Sequence, residues 1–276
     1  MTTRVLSLGA GVQSTTIYLL AMEGRVQIDA AVFADTGEEP SPVYAHLEWL
    51  KSLGGPKIVT GGVPTRLGDS LRLGLNSRGG RSVSIPAYTK AVGGKTEGHL
   101  RRQCTKEYKT DVVGRTIRRV ILGLAPGRGA KPNSVVQLIG MSLEEGRRQR
   151  AVWDRFAKKR WTRVEFPLVD LQMTRNACIA YLRTRVPHEV PRSACTFCPY
   201  RSNSEWRWLQ EHDPAGWNRA VEIDAALRVE GNVCNRGLNQ PMFIHRTCKP
   251  LTEVDFSEPE TLNLFSAVEC QGMCGV

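Results

Sequence analysis

The sequence predicts an α/β fold: a doubly wound, mostly parallel sheet followed by a smaller helical, cysteine-bearing C-terminal region. Three observations predict it. Apolar runs alternate with helical patterns over residues 5–60, which argues for a parallel sheet covered on both faces. The first of those runs feeds a glycine loop. After Asp170 the alternation stops, and helical patterns separated by cysteine-bearing loops take over.

Residues 5–8 form the first strand, Gly9-Ala10-Gly11 the loop, and residues 12–23 a helix carrying Ile17, Leu19, Leu20 and Met22 and stopped by Gly24. An apolar run over 28–33 ends in Ala34-Asp35-Thr36-Gly37, so that strand carries an acid and a glycine at its C-terminal edge. A helix over 42–53 and a strand over 57–60 follow. Residues 74–103 have many glycines and little apolar periodicity, and read as a long loop of the kind that carries function or disorder. The helical pattern returns over 105–122, with Val112, Val113, Ile117, Val120 and Ile121 on its apolar face. Strands are expected at 135–141 and 164–168, and helices at 174–184 and 205–228. A soft boundary near 165 divides a nucleotide-binding α/β domain, 1–165, from a helical region, 166–276, that holds a C-x-x-C and a cysteine tail.

The 276 residues carry 38 Lys+Arg against 27 Asp+Glu, a formal charge of +11. An excess of this sign favours a polyanionic partner, either nucleic acid or nucleotide phosphates; an arginine-rich composition is the bland alternative. The cations gather in two groups: Arg101-Arg102, Lys106, Lys109, Arg115 and Arg118-Arg119, then Arg147-Arg148, Arg150, Arg155, Lys158-Lys159-Arg160 and Arg163. No apolar run is long enough to span a bilayer and the N-terminus lacks a signal-peptide core, so a cytoplasmic protein with no membrane partner is expected. In that setting eight cysteines read as metal ligands or reactive thiols before disulfides. Cys178, inside a helical pattern, reads as a buried structural thiol. Cys234 and Cys248 are given no role.

Four motifs carry chemistry. In Ser7-Leu8-Gly9-Ala10-Gly11-Val12-Gln13-Ser14, a glycine loop at a helix N-terminus presents backbone N–H groups and the positive end of the helix dipole to a phosphate, and the two serines can donate to its oxygens. It is neither a Walker A nor a G-x-G-x-x-G motif. Asp35-Thr36-Gly37 lies at a strand edge facing the same crevice, where Asp35 either holds Mg²⁺ or a ribose hydroxyl or caps a turn. Cys104 starts a helix among cations, which lowers a thiol pKa. Cys195-Thr196-Phe197-Cys198 is the fourth. Trp206, Trp208 and Trp217 follow it and fit either base stacking or core packing.

In this order and spacing the four motifs resemble the PP-loop ATP pyrophosphatases, and more narrowly the phosphoadenosine phosphosulfate (PAPS) reductase-like branch. That branch includes sulfonucleotide reductases and the ATP pyrophosphatases of DNA phosphorothioation. The resemblance covers residues 4–40, 99–110, 134–150 and 190–210. It implies that Ser7, Gly9, Gly11, Gln13 and Ser14 hold the phosphates of ATP, with Asp35, Thr36 and Gly37 near the adenosine and Mg²⁺ on the triphosphate. Ile139-Gly140-Met141-Ser142 through Arg147-Arg148 resembles a later strand-edge segment of these enzymes, which makes Gly140 a cofactor contact and Arg147 and Arg148 candidate clamps. Cys104, Cys195 and Cys198 match three thiolates of a [4Fe–4S] cluster, with Cys270, Cys274 or an open iron in the fourth position and zinc as the inorganic rival. The tail around Cys270 and Cys274 partly resembles the element that bears the nucleophilic cysteine of sulfonucleotide reductases.

Two activities follow from the resemblance. One is adenylation of a nucleic-acid or nucleotide substrate for sulfur transfer from a sulfur donor. The other is reduction of a sulfonucleotide with a thioredoxin-like reductant. A nucleic-acid-binding module without catalysis is the third reading.

Overall fold

The computed structural model describes residues 2–75, 85–90, 96–229 and 240–257. In chain order, β1 (Thr3–Leu8), α1 (Val12–Met22), β2 (Ala30–Ala34), α2 (Ser41–Ser52) and β3 (Lys57–Gly61) alternate strand with helix. They are followed by α3 (Leu67–Leu73) and the short strands β4 (Tyr88–Lys90) and β5 (Thr96–His99). Next comes a helical segment whose middle is α4 (Asp111–Thr116), flanked by π-type turns at Thr105–Thr110 and Ile117–Ile121. Then β6 (Val135–Ile139), α5 (Gly146–Ala157) and β7 (Thr162–Glu165) lead into α6 (Pro167–Asp170), α7 (Arg175–Arg183), α8 (Asn203–His212), α9 (Pro214–Ala226) and β8 (Met242–Phe243).

The main sheet has the order β3-β2-β1-β6-β7 and all its pairings are parallel. Alternation of side chains along each strand gives it two buried faces. Leu6, Leu8, Phe33, Val136 and Leu138 pack with α1, α2 and α7 on one side. On the other side Val5, Val32 and Val135 meet Val112, Val113 and Ile117 of the α4 segment, and Ile139 meets Val152 and Phe156 of α5. The sheet is therefore doubly wound. From β1 the chain builds outward through β2 to β3 in one direction, and from β6 to β7 in the other, so strand order reverses between β1 and β6. In open α/β sheets the crevice at this reversal, outside the strands' C-terminal ends, is where ligands bind.

A second apolar cluster centres on the fully buried Trp206, with Phe197, Tyr108, Leu67 and Ile223. A small antiparallel sheet, β5-β4-β8, flanks it. Residues from both sides of position 165 build this cluster, while Cys178 and Leu182 of α7 pack in the first core. Cys178 is fully buried, as its helical setting predicts.

Three local expectations need correction. The helix expected over 205–228 is two helices, broken where Asp213 caps α9 by accepting the Gly216 N–H and Pro214 occupies the first helical position. The strand expected to run to 168 stops at Glu165, because Pro167 opens α6. The long loop expected over 74–103 contains β4 and β5, whose partner β8 lies far along the sequence and leaves no local trace. No helix among the described residues is long and apolar enough to cross a membrane.

Candidate functional site

β1 delivers the chain to the crevice, where it turns through Gly9-Ala10-Gly11 into α1. Ala10 is fully buried with φ at 55°, the left-handed region that a β-carbon makes costly and that concentrates at functional sites. Gly11 caps α1 with its backbone. The Ser14 hydroxyl folds back into the loop, accepting the N–H groups of Gly9 (3.2 Å) and Gly11 (3.4 Å) and lying 3.2 Å from the Gly11 carbonyl. The serine thus occupies two of the loop's amides. Ser7 lies within β1, in register with Ile139.

Gly140, at the exit of β6, presses on the same turn. A β-carbon there would sit 2.9 Å from the Ser14 nitrogen and 3.1 Å from the Gln13 carbonyl carbon, both backbone atoms that cannot swing away. Gln13 crosses to this strand edge, donating from Nε2 to Ser142 Oγ (2.9 Å) and to Glu145 Oε2. Glu145 also pairs with Arg148, which is thereby joined to the loop, while Arg147 is exposed on α5. A cavity of about 680 Å³ opens over Gly11, Gln13, Ser14 and Gly140. Arg175, Arg183, Arg192 and His188 also line it. His188 is reached from the core: Thr15 Oγ1 is 2.9 Å from His46 Nε2, and His46 Nδ1 is 2.8 Å from His188 Nε2. Burial, then the neighbouring His188, lowers the pKa of His46 to about 4, so this ring is neutral at pH 7.

At the end of β2, Asp35 Oδ1 accepts the Gly37 N–H (2.7 Å) and the Tyr44 hydroxyl (2.8 Å). That is the turn-capping arrangement of an Asp-Thr-Gly sequence. Gly37 has φ at 73°, and a β-carbon would come within 2.6 Å of Arg66 Cγ. Asp35, Thr36 and Gly37 line a second cavity of about 520 Å³ with Tyr44 and Arg66.

Thr36 also lines a third, small cavity, together with Cys104, Cys195, Cys198, Arg102 and Lys109. Three thiols from segments 91 residues apart in the sequence are thus brought to one place. Glu39 ties this cavity to the β2 edge: its Oε1 accepts from Lys109 Nζ (3.0 Å) and Thr36 Oγ1 (3.3 Å), with Cys195 Sγ 3.9 Å away. Thr36 Oγ1 and Cys195 Sγ are 3.5 Å apart. Both ions are enclosed, the Glu39 side chain at 1% exposure and Lys109 at 11%. Burial opposes the Lys109 charge, but the Glu39 carboxylate beside it outweighs burial and raises the ammonium pKa. Glu39 Oε2 is buried without a hydrogen-bond partner. Arg201, buried at the start of the next segment, donates to the carbonyls of Ala194, Cys195 and Thr196 and so fixes the C-x-x-C backbone.

The thiol pKa values correct one expectation. Cations do pull the Cys104 pKa down, Arg102 more than Lys109, yet burial outweighs them and pushes it up to about 11. Burial and then Glu39 raise Cys195 well above its ordinary value. Both thiols are therefore protonated at neutral pH in the free protein, and a metal that bound them would release protons. The five described cysteines form no disulfide. Among the described residues no group of three or more His, Cys, Asp or Glu is arranged to hold a metal ion. Cys270 and Cys274 lie outside the described residues.

Sequence reasoning missed Glu39, Arg201, the Thr15–His46–His188 chain and the arginines of α7. Glu39 stands two residues beyond Asp35-Thr36-Gly37, and that proximity is the one signal that could have found it. Of the aromatic group, Trp206 and Trp217 pack with Phe256 in the core, while the half-exposed Trp208 stacks on His212. Comparison with protein-family models, curated proteins and solved structures gives no match.

Proposed function

We propose that the chain is an ATP pyrophosphatase of the PP-loop type, similar to PAPS reductase-like enzymes, that adenylates a nucleic-acid or nucleotide substrate for sulfur transfer. The observation that carries this reading is the convergence at one sheet edge: a glycine loop at the β1/β6 reversal, with three thiols beside the neighbouring strand end. Thr36 and Glu39 join the thiols to β2, and the 191–198 segment joins them to the loop, since the Ser193 Cβ would lie 3.3 Å from a β-carbon on Gly11.

A triphosphate would take the Gly9 and Gly11 amides from Ser14, with the positive end of α1 behind them. Arg175, Arg183 and Arg192 supply charge-assisted donors for its oxygens. The substrate oxygen attacks the α-phosphorus and pyrophosphate departs, its growing charge met by the same amides and guanidinium groups. Mg²⁺ needs few protein ligands when it travels on a nucleotide, which suits a crevice whose Asp35 already caps a turn. By donor type Cys104, Cys195 and Cys198, which line one cavity, suit three thiolate ligands of a [4Fe–4S] cluster, which if bound would supply an iron site for sulfide. Lys109 and Arg102 would offset the negative charge of the thiolates, and Arg201 fixes the backbone that carries Cys195.

Protein reconstituted anaerobically should bind ATP and release pyrophosphate with substrate present, and AMP should follow only when a sulfur donor is added to displace it from the adenylated substrate. Failure to bind ATP, or cleavage to ADP and phosphate, would sink the proposal. Release of sulfite from adenylyl sulfate would instead select the reductase reading.

A further inference from the structure

The cavity of about 680 Å³ has a wall that the nucleotide reading leaves largely unassigned, the segment 187–193. Pro187 and Pro191 stiffen it by fixing their own φ. The segment lies directly on the glycine loop, since a β-carbon on Gly11 would sit 3.3 Å from Ser193 Cβ and 3.8 Å from the Pro191 carbonyl oxygen. Ser193 lines the cavity and is 2% exposed, yet its hydroxyl has no hydrogen-bond partner among the described residues. Native folds rarely keep a buried hydroxyl unpaired, because its lost hydration goes unreplaced. An anion oxygen beside the loop amides would replace it.

His188 is the second donor on this wall. Its Nε2 lies 2.8 Å from His46 Nδ1, and His46 Nε2 lies 2.9 Å from Thr15 Oγ1. Trp49 stacks on the His46 ring at 5.4 Å and meets His188 edge-on at 5.2 Å, so both imidazoles are held in place. With Nε2 engaged, Nδ1 is the nitrogen left for a ligand, and His188 is exposed at the cavity. When His188 carries both protons, its Nε2–H donates to His46 Nδ1 and the His46 Nε2–H donates to Thr15 Oγ1. Burial, then His188, lowers the His46 pKa to about 4, so His46 accepts from its neighbour without competing for the charge. The other ionisable groups about His188 are Glu189 beside it and, lining the same cavity, Arg175, Arg183 and the Arg192–Glu205 pair.

Resting on the nucleotide reading above, we infer that Ser193 and His188 form the second half of the phosphate site. Ser193 Oγ donates to an oxygen that the glycine loop also holds, and His188 Nδ1–H donates to the terminal phosphates. Two donors five residues apart, with Arg175 and Arg183 about two turns apart on α7, suit a chain of phosphates better than a single anion.

The test is calorimetric titration of the full chain with Mg·ATP and, separately, with inorganic pyrophosphate, at about pH 6 and about pH 8. Ser193→Ala should weaken both ligands by about 10-fold or more, as expected for loss of a hydrogen bond to a charged group. Its thermal midpoint without ligand should match or exceed the parent's, because an unpaired buried hydroxyl is removed; a residue needed only for the fold would lower it. His188→Gln keeps a neutral donor, so its deficit against the parent should be about 5-fold larger at the lower pH. Protonation of the ligand itself cancels in that ratio. Parental affinity in Ser193→Ala, an affinity loss that tracks a lowered midpoint, or a His188→Gln deficit that is constant with pH would overturn the inference, while ATP binding by the parent leaves the nucleotide reading standing. Pyrophosphate binding with these variant effects but without ATP binding would sustain the inference and sink the nucleotide reading. Binding of neither ligand by the parent would overturn both.

Discussion

Lys109 and Glu39 are the residue pair on which the thiol cavity turns. Removing one member of an enclosed ion pair leaves the other charged and unsolvated, which costs about 3–5 kcal/mol. Lys109→Met should therefore lower unfolding stability in urea by that order, and adding Glu39→Gln should recover most of it. Gly140 makes a second prediction. Because a β-carbon there would sit 2.9–3.1 Å from the backbone of Gln13 and Ser14, Gly140→Ala must displace either β6 or the glycine loop. A cost of about 1–3 kcal/mol and weakened ATP binding in a titration are expected. At this scale the sequence was partly legible. Glycines before a helix announce a loop, and a cysteine followed by Thr105 and Lys109 announces a motif. That Lys109 would pair with Glu39 was not legible, because the partners lie 70 residues apart and nothing in either segment specifies the other. Cys104 shows the opposite failure: its cations were visible, but the burial that outweighs them was not.

Elements were legible where a local rule governs them. α1 begins at a glycine and β2 ends at Asp-Thr-Gly, as their patterns require. α8 and α9 were read as one helix because apolar periodicity continues through Asp213-Pro214, although proline at a first helical position and aspartate before it mark a start. Asp213 does more than cap α9: its Oδ2 also accepts the Ser41 N–H at 3.0 Å, tying α9 to the start of α2. Asp213→Ala should cost about 1–2 kcal/mol, seen as a lower thermal midpoint, whereas Asp213→Asn should keep much of the stability. β4, β5 and β8 escaped notice because strands of two to four residues carry too little alternation to register.

Across the whole molecule, two buried histidines set the acid limit. His46 in the first core and His245 beside the second each have their pKa lowered to about 4, burial being the main cause. Their ordinary value is about 6.5, so the unfolded chain takes up protons first as pH falls. Stability is complete above about 6.5 and declines as pH drops towards 4, at up to about 1.4 kcal/mol per pH unit for each histidine. Thermal melts from pH 7.5 to 4.5 should show this decline, and His46→Gln should flatten part of it. A parallel sheet covered on both faces was legible from alternation, while its doubly wound order came with the family resemblance. The meeting of residues 36, 39, 104, 109, 195 and 198 was not legible, because it depends on strand order, and strand order is a property of the folded chain.

The proposed [4Fe–4S] centre of Cys104, Cys195 and Cys198, contributed by remote segments beside the glycine loop, is open to a direct test. Metal analysis with a visible spectrum, on protein purified without oxygen and on its Cys195→Ser variant, tests it most directly. About four irons per chain with broad visible absorbance, both lost in the variant, is the predicted result. Zinc in place of iron, or iron retained undiminished in Cys195→Ser, would contradict it.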